Sequence, residues 1–174
     1  MNLLLEILKF TLPSLIVFLT TYFVLREYLQ HQQKIKMLEI KQDVSKTTLP
    51  LKLQAYERLS LFCERIAIPS LILRLNTPDT TIQNLRHAML VSIQKEFEHN
   101  ITQQLYVSES LWRIIKIASD QTADTINLLS TRLDINDPTE MFVESYYKFS
   151  EELKMDPLLT ALSAIKQEAA ILLS

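Results

Sequence analysis

Residues 10–25 read FTLPSLIVFLTTYFVL, sixteen positions without a charge. Extended back to Leu3, the apolar stretch is interrupted only by Glu6 and Lys9. As a helix rising about 1.5 Å per residue, Leu3 to Leu25 is about 34 Å long, enough to cross a hydrocarbon core of about 30 Å. The expected anchor side chains are Phe10, Leu12, Leu15, Ile16, Val17, Phe18, Leu19, Tyr22, Phe23, Val24 and Leu25. They surround the helix instead of lining one stripe, which argues against a core helix of a soluble bundle. Pro13 is tolerated in such a helix. A cleaved signal peptide fits poorly. The leading MNLLLEILK mixes an acid with its lysine, and REYLQHQQ after Leu25 offers no small-residue cleavage site.

Orientation follows from the flanking cations. Lys9 precedes the span, whereas Arg26, Lys34, Lys36, Lys41 and Lys46 follow it. The positive-inside bias predicts a short N-terminus outside and the body of the chain in the cytoplasm. The expected arrangement is a single-pass membrane protein. Cys63, the one cysteine, fits a reducing compartment and supplies no CxxC pair.

Charge and composition limit the body further. Residues 1–46 carry six Lys/Arg against four Asp/Glu, and the remainder carries twelve against sixteen. An acidic body is no nucleic-acid binder on charge grounds. The chain contains no glycine, so it has no Gly-rich phosphate loop, dinucleotide fingerprint or glycine-built nucleophile elbow. Breaks must come from proline, Asn and Asp instead. Five of the six prolines lie beyond the apolar stretch, each near an expected helix boundary. The fold class is all-α: a transmembrane helix at 1–25, a stalk at 26–48 and a cytoplasmic helical bundle at 49–174.

The stalk has no Gly or Pro, so the membrane helix can continue through it. Val24, Tyr28, His31, Ile35, Leu38 and Gln42 follow a 4-3 spacing with two polar interruptions. This reads either as a solvated stalk or as a helix that pairs with its own copies. Thr48-Leu49-Pro50 is read as the start of a new helix. Its stripe is Leu51, Ala55, Leu59, Phe62 and Ile66. Ile68-Pro69 ends it, and a short helical piece reaches Asn76. Thr77-Pro78-Asp79-Thr80 signals the next helix. That helix is expected to run from about Asp79 to Gln104, with Leu85, Met89, Ile93, Phe97, Ile101 and Leu105 inward. Ser108 caps a helix to about Arg132 that buries Leu111, Ile115, Ala118, Thr122, Ile126 and Leu129. After a loop at 134–138, a helix from Pro138 to Met155 presents Met141, Phe142, Tyr146, Phe149 and Leu153. Asp156-Pro157 opens the last helix, with Leu158, Leu162, Ile165, Ala169 and Leu172 inward.

Three stretches, LPLKLQAYERLSLFCERI at 49–66, EFEHNITQQLYVS at 96–108 and the following Leu111-Trp112, carry a family likeness. In them the chain resembles an uncharacterised family of bacterial membrane-anchored helical proteins with a cytoplasmic domain. The resemblance implies an inner-membrane setting and a helical fold. It implies no activity, cofactor or catalytic residue.

Glu96 and His99 form a Glu-x-x-His unit, with both side chains on one side of a helix. Di-iron bundles use that unit twice, with two further glutamates. Neither His31 nor His87 has a Glu three residues earlier, so a second half would have to come from another copy. The plainer reading makes Glu96, Glu98, His99 and Asn100 polar contacts at a helix end. Glu57 and Glu64, beside Arg58 and Arg65, read more simply as ion-pair residues than as an acid–base pair. Seven acids stand against Lys148 and Lys154 between 133 and 156, a solvated face or a surface for a basic partner.

The expected function is therefore a non-enzymatic interaction or scaffold protein, bound to the lipid bilayer and to a protein partner or its own copies, with no cofactor. The alternatives are an accessory subunit of a larger membrane complex, or a metal-binding or enzymatic bundle built around Glu96 and His99.

Overall fold

A computed structural model describes residues 2–77, 80–134, 137–153 and 155–173, with side chains described at Lys9 and from Leu12 onward. Six α-helices account for nearly all of it: α1 Asn2–Ile66, α2 Ile68–Leu75, α3 Ile82–Asn100, α4 Glu109–Ser130, α5 Thr139–Glu152 and α6 Pro157–Leu173. A 3₁₀ turn, Ile101–Leu105, follows α3. No strand occurs among the described residues. The fold is all-α, as composition and periodicity predict.

The chain divides into two compact units, Met1–Leu49 and Pro50–Ser174. The first holds the apolar stretch and the basic segment after it. Every described side chain from Leu12 to Thr48 is exposed. By length and composition α1 suffices to cross a membrane. Thr20 and Thr21 both donate their hydroxyls to the carbonyl of Val17, at 3.0 and 2.8 Å. Those hydroxyls are thus satisfied within the helix. The Phe10 side chain lies outside the described residues.

The second unit is built on the last turns of α1. Ala55, Leu59, Phe62, Cys63 and Ile66 are buried there, joined by Leu71 of α2 and Leu85 and Met89 of α3. Helix α4 supplies Leu111, Ile115, Ala118, Ile126 and Leu129, and α6 supplies Leu158, Ala161 and Ile165. Most α4 positions expected inward are in the core, with Thr122 also buried and its hydroxyl donating to Ala118 O at 2.8 Å. Each fully buried Leu or Ile contributes about 1.5–3 kcal/mol by leaving water.

Several boundaries differ from expectation. Pro50 starts no helix; α1 runs through it. Proline removes one N–H from the ladder. Thr47 and Thr48 donate to the carbonyls of Asp43 and Val44, and the turns beyond Pro50 are held by core packing. Leu51 is accordingly 41% exposed instead of buried. Helix α3 begins at Ile82 behind Thr81, whose hydroxyl accepts from Asn84 N. The expected start at Pro78-Asp79 lies outside the described residues.

The α3 stripe stops at Asn100. The tighter 3₁₀ turn rotates the following side chains off the four-residue register, leaving Ile101 and Leu105 exposed. Phe97 is half-buried, edge-on to Phe62 at 6.2 Å and tilted against Trp112 at 5.5 Å. Helix α5 ends at Glu152, short of the expected Met155, where Leu153 turns extended; of the expected apolar side only Phe142 is deeply buried, and Met141 and Leu153 face solvent. Asp156 caps α6 by accepting from Leu158 N at 2.8 Å.

Candidate functional site

Three places in the second unit concentrate polar chemistry or uncovered apolar surface. The first is the corner where α1, α2 and α3 meet. Glu96 Oε1 lies 3.0 Å from Arg65 Nε and 3.9 Å from Arg74 Nη1, with the Glu96 side chain largely buried. Arg74 is held in turn by the carbonyls of Arg65 and Ser70, at 2.6 and 3.3 Å. One arginine thus spans two helices and meets one carboxylate. Asn100 donates to Glu96 O at 2.8 Å, and Gln94 donates to Glu98 at 2.7 Å.

This corner contains the Glu96 and His99 of the Glu-x-x-His unit. His99 is exposed at the end of α3, and Glu96 points to guanidinium groups. Chemically the arrangement is an ion-pair clasp for three helices. Among the described residues no group of three His, Cys, Asp or Glu side chains gathers to hold a metal ion. Glu57, Arg58, Arg65, Glu96 and His99 line one shallow depression of about 330 Å³.

The second place is a clamp on the start of α4. Glu168 of α6 accepts from Ser108 N at 2.9 Å and from Tyr56 Oη at 3.2 Å, and it also accepts from the Ser108 hydroxyl. Ser108 Oγ meanwhile accepts from Leu111 N at 3.2 Å as the N-cap. A carboxylate at a helix N-terminus is favourable because unpaired amides and the helix dipole both attract negative charge. Burial, followed by the Glu168 charge and hydrogen bond, raises the Tyr56 pKa above the usual phenol value. Ser108 was readable as a cap; Glu168 and Tyr56 were not, since they lie 112 residues apart in sequence.

The third place is an apolar groove of about 830 Å³ along α4, bounded on its other side by Leu153, Met155, Pro157 and Thr160. Ile114, Ile117, Leu128, Leu153 and Met155 line it, with Asp124 as a charged lining residue. Ile117, Leu128 and Met155 are 49%, 42% and 72% exposed, so this surface lies open. The signal in sequence was weak: these α4 residues fall outside the buried stripe.

Cys63 is buried in the core, and burial, with the Glu64 charge second, pushes its thiol up to about 12. It is a packed side chain, far from the thiolate character a nucleophile needs.

These features define an all-α bundle with polar clasps between its elements. The chain belongs to a family described as "Family of unknown function (DUF7935)", which matches residues 2–172, nearly the whole length. No curated protein matches the chain, and no solved structure matches it.

Proposed function

We propose that this protein is a membrane-anchored, non-enzymatic interaction or scaffold protein. Its helical domain holds a partner, or its own copies, at the cytoplasmic face of a bacterial inner membrane. The observation that carries this reading is the contrast along α1: residues from Leu12 to Leu25 are uncharged, mostly apolar and all exposed, while the second unit completes its own core without them. An uncharged apolar surface of that extent is unfavourable in water and favourable in lipid. The cations after it orient the body inward.

A second reading makes the chain an accessory subunit of a larger membrane complex. The open groove along α4 favours it, because an exposed apolar concavity is a common protein-docking surface. Gentle-detergent purification with quantitative mass spectrometry separates the readings. A partner recovered at fixed stoichiometry, and lost from an Ile117→Glu, Leu128→Glu variant, supports the subunit reading. Stoichiometric iron or zinc in the purified protein, lost in Glu96→Ala and His99→Ala variants, overturns the non-enzymatic reading in favour of a metal-binding bundle.

A further inference from the structure

The basic segment between the apolar stretch and Pro50 is a helix with no neighbour in its own unit, and it exposes apolar side chains on two opposite sides. Ile35 and Leu38 lie on one, at 41% and 65% exposure; Met37, Ile40 and Val44 lie on the other, at 66%, 57% and 56%. Ile35 and Val44, nine residues apart, are about half a turn apart around the axis. A lone helix gains nothing from such residues in water, so a covered seam is the arrangement that uses them.

Charge decides which seam is covered. In two parallel helices a residue flanking the seam meets the one five positions further along the partner. Around the Tyr28, His31, Ile35, Leu38 and Gln42 side, Lys34 meets Glu39 of a second copy, an attractive pair repeated twice by symmetry. Around the Met37, Ile40 and Val44 side, Lys36 meets Lys41 of a second copy, a repulsive pair repeated twice. The next flanking pair on the first side, Lys41 and Lys46, is like-charged. Asp43, 3.6 Å from Lys46, offsets it. Lys34 and Glu39 are both exposed and form no ion pair in the single chain among those described.

We infer that the Tyr28–Gln42 side pairs in parallel with the same side of a second copy, in the register that sets Lys34 across from Glu39. The parallel direction rests on the membrane anchor proposed above, which brings both copies to the same side of one bilayer. His31 and Gln42 are polar seam residues, which weaken a coiled coil but specify its register. The Gln32 amide donates to Tyr28 Oη at 3.1 Å, a contact at the edge of this seam. The apolar centre is short, so confinement to a plane supplies the effective concentration the pair needs.

Full-length protein in its native membranes, carrying Cys63→Ser, tests this by cysteine cross-linking. Leu38→Cys should give disulfide-linked dimers several-fold above Ile40→Cys. Adding Glu39→Lys to Leu38→Cys should cut the yield to the Ile40→Cys level, and further adding Lys34→Glu should restore it. Equal or greater cross-linking at Ile40→Cys, or indifference to the charge changes, overturns the seam. Alkaline carbonate extraction of the same samples reads the anchor separately. Protein held in the membrane without a Leu38→Cys dimer keeps the anchor and removes the seam. Protein extracted from the membrane that still forms the dimer keeps the seam and removes the anchor.

Discussion

Phe18 and Phe62 lie on the same helix, α1, yet Phe18 is 67% exposed and Phe62 is 2% exposed. Leu25 and Leu59 repeat the contrast at 55% and 0%. Secondary structure is identical in the two regions, so backbone propensity does not separate them. What separates them is the pattern around the helix. Residues 53–66 alternate apolar and charged sides, with Glu57, Arg58, Glu64 and Arg65 marking the wet face. Residues 12–25 have no wet face at all. A stripe calls for other helices; an apolar sleeve calls for an apolar solvent.

The sharpest way to break this contrast is to truncate the same side chain in both regions. Phe62→Ala should destabilise the bundle by about 3–5 kcal/mol, the cost of a large core deletion. Phe18→Ala should leave the thermal unfolding of the bundle within about 0.5 kcal/mol, as for a residue outside any core. Equal effects would mean that the two regions share one core. Phe97→Ala should fall between, at about 2–3 kcal/mol, because Phe97 is half-buried but touches both Phe62 and Trp112. A loss below about 1 kcal/mol would show that this aromatic trio contributes little.

The polar clasps carry smaller effects. Glu168→Ala strips an acceptor from Ser108 N and Tyr56 Oη and should cost about 1–2 kcal/mol in chemical denaturation. Alkaline pH probes the core from another side. The Cys63 thiol ionises near 9.0 when unfolded but at about 12 when folded. The unfolded chain therefore loses its proton first, and stability, full below about pH 9, should fall as pH rises toward 12. Tyr56 and Tyr146, both raised chiefly by burial, act in the same direction at higher pH. Cys63→Ala should flatten the lower part of that decline; an unchanged profile would assign it to the tyrosines.

Much of the bundle is legible in the sequence. Leu111, Ile115, Ala118, Ile126 and Leu129 recur at helical spacing, and all five are buried. Ser108 and Asp156 cap where their residue types suggest. Three kinds of feature were not legible. Pro50 reads as a break, but neighbouring turns carry the helix across it. Ile101 and Leu105 continue a perfect four-residue repeat, but a 3₁₀ turn changes the period beneath them. The Glu96–Arg65–Arg74 clasp and the Glu168–Ser108–Tyr56 clamp join residues distant in sequence, so no local pattern announces them. The groove is harder still, since it is defined by what α5 and α6 leave uncovered.

Under the proposed function, the exposed sleeve is a membrane anchor and the bundle lies on the cytoplasmic side. An exposed thiol on α6 tests it most directly. In a Cys63→Ser, Ser163→Cys variant the introduced thiol replaces an exposed serine. In intact cells it should resist a membrane-impermeant maleimide, react fully after lysis, and sediment with membranes unless residues 2–25 are deleted. Rapid labelling of intact cells would place the bundle outside. Full-length protein in the soluble fraction would show that the sleeve is no anchor.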